Sequence, residues 1–226
     1  MFDLQKTHQL AQLLSQPQDA RTAEWLGSLQ DVVLEASLAA RDPQVIQGPD
    51  GFPYFALDLP PEAKEFTAFC VAHILEHCTD RGFGIVLEPN RTPPGWVFTY
   101  GTLWSLRARG RFLWDDTPSG VQTETLAAGE ERQVLVGAPD ETLVPPWARA
   151  TLRRYLQACG VETPMFSLVM DSTREPTQNL VFNVEPTAFA ERGHFDAFMQ
   201  RLTWFVPPYL PVLYIGGDEV SVRFVI

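Results

Sequence analysis

Two histidines and a glutamate lie within five residues of one another, in the segment His73-Ile74-Leu75-Glu76-His77. If the segment is helical, His73 and His77 are four residues apart and lie on one face. That arrangement suits two ligands of a zinc ion. Glu76 would lie beside them, where a general base for metal-bound water is needed. One hypothesis is therefore a zinc-dependent hydrolase that uses His73, Glu76 and His77.

The order H-x-x-E-H resembles the motif of the inverted zinc peptidases, and the segment from Ala72 to His77 looks like the metal-binding helix of the pitrilysin-type family. The resemblance implies a third zinc ligand, a glutamate on a later helix. The helix predicted from Pro145 to Cys159 contains no aspartate or glutamate, and Glu141 and Glu162 only flank it. A catalytic zinc requires three protein ligands and an open position, and two are visible here.

The same segment has a second interpretation that involves no catalytic zinc. On a helical wheel the apolar residues form a core-facing stripe, and His73 and His77 fall outside it. Cys70 falls on the histidine side, so a structural metal site of Cys70, His73 and His77 is a further hypothesis. Our main prediction is that the chain holds no metal or other cofactor, and zinc is the alternative.

A second group combines arginines with tryptophans. Arg107, Arg109 and Arg111 alternate along the chain next to Trp104 and Trp114. Such a mixture can bind single-stranded nucleic acid, but a net charge of −11 and a pI near 4.8 oppose contact with phosphates. The arginines could instead form an edge face or pair with acidic helices of the same chain. Arginine and aromatic residues are also enriched in protein interfaces. We therefore predict a protein-binding surface made of Trp104, Arg107, Arg109 and Trp114, and no nucleic-acid binding.

The three cysteines predict a reduced, cytoplasmic environment. Cys70, Cys78 and Cys159 are odd in number and show no repeated spacing, which does not suit a disulfide framework. All three fall on helices with apolar patterning, so we expect them to be buried core residues and not nucleophiles. No apolar run is long enough for a membrane span, no secretion signal is evident, and the acidic charge disfavours anionic membranes.

The pattern of apolar residues and turns predicts an α+β fold. We expect two βαββα(β)-type units with mostly antiparallel sheets, preceded by an N-terminal helical segment. The predicted boundaries are residues 1–47, 48–130 and 131–226. The predicted helices are Leu4–Ser15, Thr22–Ala40, Pro60–Thr79, Thr102–Arg109, Pro145–Cys159 and Gly193–Phe205. The predicted strands are Phe52–Leu59, two around Ile85 and Val97, Arg111–Trp114, Gln133–Val136, Met165–Met170, Asn179–Val184, Pro211–Ile215 and Val220–Ile226.

About the last 95 residues resemble a known bacterial family. The shared features are the turn at Val136-Gly137-Ala138-Pro139, the strand patterns at 166–171 and 180–183, and the ending Pro207-Pro208-Tyr209-Leu210-Pro211-Val212. These are similar to the C-terminal domain of the enhanced serine sensitivity protein family. The resemblance implies a bacterial α+β module and transfers no catalytic residue.

Three functions stay open from the sequence. The preferred one is a non-catalytic module for protein–protein interaction or self-association, because the aromatic stripes form a core and no reactive centre is assembled. The second is the zinc-dependent hydrolase. The third is a small-molecule sensor that holds its ligand between the two halves of the chain.

Overall fold

The computed structural model describes residues 3–61, 65–112, 135–170, 178–214 and 223–226. The chain divides into two compact units, residues 1–115 and 116–226. Each contains helices and one mixed, mostly antiparallel sheet, which confirms the predicted α+β class and the helices at the start of the chain. Within these ranges, no helix combines the length and the apolar character that crossing a bilayer requires.

The described residues of the first unit form four α-helices and a five-stranded sheet. The strand order is β3-β1-β2-β4-β5, in which only the β2–β4 pair is parallel. The helices are α1 (Leu4–Ser15), α2 (Ala23–Val33), α3 (Val71–Arg81) and α4 (Tyr100–Arg109), and the strands are β1 (Leu38–Gln47), β2 (Pro53–Asp58), β3 (Ala68–Phe69), β4 (Gly84–Leu87) and β5 (Trp96–Phe98).

One apolar core joins the first two helices to this sheet. The Asp3 side chain caps α1 by accepting from two backbone N–H groups, and the Thr22 side chain caps α2 by accepting from the Trp25 backbone N–H. Each helix then turns its apolar side to the sheet. The buried cluster includes Leu10, Leu14, Trp25, Leu29, Val33, Phe55, Leu57, Ile85, Leu87, Phe98, Leu103 and Phe112. The N-terminal helices are therefore part of the first unit's core.

Two arginines tie the α1–α2 pair to the loop between β4 and β5. Arg21 lies 4.6 Å from the centre of the Trp25 ring and donates a 2.9 Å hydrogen bond to the Gly95 carbonyl. From the other side, Arg91 donates a 2.8 Å hydrogen bond to the carbonyl of Leu14 near the end of α1. Carbonyls at a helix C-terminus lack intrahelical partners, so a guanidinium is well suited to satisfy them.

Two predicted helices are longer than the observed ones. The helix predicted over Thr22–Ala40 ends at Val33, and Leu38 begins β1. The helix predicted over Pro60–Thr79 begins only at Val71. In both places tertiary pairing overrides local propensity, because Leu38 pairs with Phe69 between β1 and β3.

The described residues of the second unit also form a mixed sheet. Its strand order is β10-β7-β8-β9, β6 pairs with β7 beside β10, and only the β8–β9 pair is parallel. Gly160 has φ +92° just after α5, as predicted for a left-handed helix end. The strands are β6 (Leu135–Gly137), β7 (Met165–Met170), β8 (Gln178–Phe182), β9 (Val212–Leu213) and β10 (Phe224–Val225), and the helices are α5 (Pro146–Ala158) and α6 (Arg192–Leu202).

The two units share a topological pattern. Each has a helix, an antiparallel hairpin, a second helix, and a strand that returns parallel to the second hairpin strand. The matching elements are α2-β1-β2-α3-β4 and α5-β7-β8-α6-β9. The predicted strand-helix-strand-strand-helix order is found in the second half, whereas in the first half the strand β3, which was not predicted, lies between β2 and α3. Of the other predicted strands, Arg111–Trp114 lies mostly outside the described residues.

Candidate functional sites

The H-x-x-E-H motif lies on the outer side of α3. The helix buries Val71, Ile74 and Cys78, so His73, Glu76 and His77 are exposed. Arg81 lies within hydrogen-bond distance of His77, at 3.0 Å between its Nη1 and the imidazole Nδ1. Since a guanidinium can only donate, Nδ1 is the acceptor in this contact.

No third metal ligand joins this pair from the described part of the chain. Within those ranges, no group of three His, Cys, Asp or Glu side chains is close enough to hold a metal ion. Cys70 is fully buried before the helix, and Glu76 lies 3.9 Å from the Arg107 guanidinium. The described residues therefore supply an exposed histidine pair, while a catalytic zinc requires three ligands. The zinc hypothesis stays a prediction.

The predicted arginine–tryptophan surface is not assembled as expected. Trp104 is fully buried, so its ring offers no face to a partner, and its inclusion in a surface was wrong. Arg107 binds inside the unit, with 2.6 Å hydrogen bonds to the Thr79 hydroxyl and the Asp80 carboxylate. Arg109 is exposed at the end of α4, and Trp114 lies outside the described residues.

The three cysteines differ in their surroundings. Cys70 and Cys78 are buried, as predicted, and burial raises the pKa of the Cys78 thiol to about 12. A thiol with that pKa stays protonated at neutral pH and is a poor nucleophile. Cys159 is exposed at the end of α5, so the prediction that it faces the core was wrong. Its helix had ended one residue earlier, at Ala158.

Polar side chains gather where the parallel strands β2 and β4 end, which is where α/β sheets often bind ligands. Arg41 bridges this region, with its Nε 2.9 Å from the Asp58 carboxylate and its Nη1 3.0 Å from the Asn90 side-chain oxygen. Glu88, with φ +51°, accepts a hydrogen bond from the backbone N–H of Leu59. The contacts satisfy one another, so we assign the group a structural role.

A groove between α1 and α2 has a volume of about 430 Å³, within the usual range for ligand sites. Its lining is mostly polar and uncharged, with one carboxylate from Asp31. The lining residues are Gln9, Gln12, Leu13, Gln16, Ser28, Asp31 and Val32. Side-chain amides can both donate and accept hydrogen bonds, so the groove suits a small polar ligand with a cationic group near Asp31.

An exposed apolar surface lies at one edge of the second sheet. β8 pairs along one side of β7, and β10 and β6 share the other side. No strand of the described ranges pairs with the outer edge of β6. Leu135 of this strand is 72% exposed, and its cross-strand neighbour Met170 is 36% exposed. A single exposed leucine is ordinary, but exposed apolar neighbours on an unpaired edge invite another strand.

The two sides of β6 differ in what they contact. Val136 is half-buried and packs with Val169 and Val181 in a small apolar cluster. Leu135 and Gly137 point to the opposite side, because successive residues of a strand alternate. On that side a β-carbon added to Gly137 would meet no heavy atom within 4 Å. The edge therefore carries an exposed leucine and, two residues later, an open position.

Comparisons with family models, with curated proteins and with solved structures each find no match. The resemblance of the last 95 residues to the enhanced serine sensitivity protein family thus stays a prediction. The sequence reasoning did not single out Leu135 or Met170. The available signal was a short apolar run before Gly137-Ala138-Pro139, but such a run does not tell whether the strand is central or at an edge.

Proposed function

We propose that this chain acts without catalysis, as an association module that accepts a strand of another polypeptide along β6. The observation that carries the proposal is the outer edge of β6, with which no strand of the described residues pairs, together with exposed Leu135 next to Met170. In strand addition the main-chain N–H and C=O groups of the edge provide hydrogen bonds, and alternate side chains provide selectivity. Leu135 and Met170 would supply the apolar contact on one side of the added strand.

Free thiols support a reducing location for this association. Cys70, Cys78 and Cys159 are all unpaired thiols, and Cys159 is exposed. Exposed thiols persist best in the cytoplasm, where thioredoxin and glutathione keep them reduced. We place the module there.

The proposal can be tested with a matched pair of leucines. Leu135 and Leu4 are both 72% exposed, but Leu4 begins α1 in the first unit. We expect Leu135→Asp to weaken binding of protein partners at least tenfold, and Leu4→Asp to leave it unchanged. Hydrogen exchange should show protection of the β6 amides on binding. Equal binding by both variants, or binding without protection of β6, would refute the proposed function.

A second candidate is small-molecule binding, favoured by the groove between α1 and α2. A compact diamine such as putrescine is a suitable probe, because the described residues of the lining carry one charged group, the Asp31 carboxylate. We expect putrescine to raise the melting temperature of the wild type and not that of Asp31→Asn. The same shift in both proteins would exclude the groove as the binding site.

A further inference from the structure

We propose that the strand added to β6 is β6 of a second copy of this chain, antiparallel about a two-fold axis at Val136. The inference rests on the proposed function and names its partner. The exposed Leu135 and the open position at Gly137 are two residues apart on the same side of the strand. A two-fold axis at the residue between them brings each Leu135 opposite the Gly137 of the other copy.

This register gives both sides of the joined sheet a consistent packing. On one side, each Leu135 side chain lies over a glycine that leaves space for it, and beyond that glycine is Leu168, its cross-strand neighbour on β7. On the other side, Val136 meets Val136 of the second copy, and Val169 flanks it. Valine pairs across strands are favourable contacts. When the partner is a second copy, each exposed leucine meets a glycine that leaves space for it.

Neighbouring registers are less favourable. If the register between the two β6 strands shifts by one residue, side chains that lie on opposite faces of the sheet are placed opposite one another. An axis at Gly137 places Leu135 opposite Pro139, which has no N–H to donate. Only an axis at Val136 pairs Leu135, Val136 and Gly137 of one copy with the same three residues of the other.

The net charge of the chain opposes self-association and predicts how salt affects the dimer. Each copy carries a net charge of −11, so two copies repel one another. The residues of β6 are uncharged, so no like charges lie directly opposite within the pairing. Salt screens the remaining repulsion, so self-association should strengthen as salt is added. Binding of a basic partner would instead weaken as salt is added.

The size of the contact sets the expected strength. Three residues from each copy bury much less than the roughly 1,200–2,000 Å² of a stable protein interface. We therefore expect a weak dimer that forms at high protein concentration and exchanges rapidly.

Sedimentation and cross-linking test the proposal. In a Cys159→Ser background, Val136→Cys should form a disulfide-linked dimer with itself. A mixture of Leu135→Cys and Gly137→Cys chains should cross-link to each other at least tenfold faster than either cross-links alone, because opposite residues are close enough for a disulfide. Leu135→Asp should weaken the dimer at least tenfold, and Leu4→Asp should not.

Gly137→Leu distinguishes pairing that depends on the complementary shapes of Leu135 and Gly137 from nonspecific apolar association. The substitution adds apolar surface and fills the space for Leu135, so we expect it to weaken the dimer. Tighter association of Gly137→Leu would overturn the register. If the wild type forms no dimer, but Leu135→Asp still loses binding to other proteins, the self-pairing is overturned and the proposed function stands. A dimer unaffected by Leu135→Asp would overturn the self-pairing at this edge.

Discussion

The hydroxyl of Thr7 connects α1 to the start of β1. Its removal measures how much this connection contributes to the free energy of unfolding of the first unit. Thr7 and Ser37 are both buried. The Thr7 hydroxyl accepts a 2.7 Å hydrogen bond from the Ser37 backbone N–H and lies 2.9 Å from the Asp3 carbonyl, to which it donates. Thr7→Val keeps the shape of the side chain and removes these hydrogen bonds, together with the weaker 3.2 Å contact of the hydroxyl with the Ser37 carbonyl.

The cost of Thr7→Val follows from the buried N–H group that it leaves without an acceptor. A buried donor without a partner costs about 1–3 kcal/mol. The methyl group that replaces the hydroxyl offsets part of this, since a buried methylene contributes about 0.8 kcal/mol. We expect the free energy of unfolding of the first unit to fall by about 1–2 kcal/mol. Thr7→Ser keeps the hydroxyl and serves as the control.

Hydrogen exchange in a urea series provides the assay, because it reports on each unit separately. In Thr7→Val the Ser37 amide should exchange faster, and peptides from α1 and β1 should lose protection together. In Thr7→Ser the Ser37 amide should keep its protection. A change in free energy below about 0.5 kcal/mol in Thr7→Val, with Ser37 still protected, would refute the reasoning.

Three other substitutions test the fold and its thiols. Gly84→Ala should destabilise the first unit by about 1–3 kcal/mol, measured by urea unfolding, because its added β-carbon would lie 2.6 Å from the carbonyl oxygen of Phe98. Cys159 should react with a thiol reagent in the native protein at neutral pH, while Cys78 should react only after unfolding. The thiol of Cys78 has a pKa raised from 9.0 to about 12, so its contribution to stability is complete below pH 9 and is lost as the pH rises towards 12. Cys78→Ala should therefore lose less stability than the wild type over that range in pH-dependent unfolding. His73→Ala should change the free energy of unfolding by less than about 0.5 kcal/mol, because the side chain is exposed.

Elements with a strong local pattern could be predicted from the sequence. β7 has the predicted bounds, Met165–Met170, and α5 lies within one residue of its predicted bounds at both ends. The segments whose observed structure differs from the prediction are those whose conformation depends on pairing with a distant segment of the chain. Leu38 and Ala68 form strands because β1 and β3 pair with each other, and a local pattern carries no information about that pairing.

The candidate surface was harder to predict for a related reason. Trp104 lies on a helix that is buried on most sides, so its place beside arginines in the sequence did not indicate exposure. Leu135 posed the opposite problem, because a short apolar strand is usually interpreted as buried. Whether β6 lies at the centre or at the edge of its sheet depends on the order of all the strands, and that order is a property of the whole unit.

The arginine contacts between the α1–α2 pair and the β4–β5 loop limit how the chain can be divided for experiments. A fragment beginning at residue 48 would lose Arg21, Trp25 and the apolar sides of both helices, and would uncover the sheet side chains that they protect. Uncovered apolar surface of that size promotes aggregation. A soluble fragment of the first unit has to include α1 and extend at least to Phe112, which closes the same core.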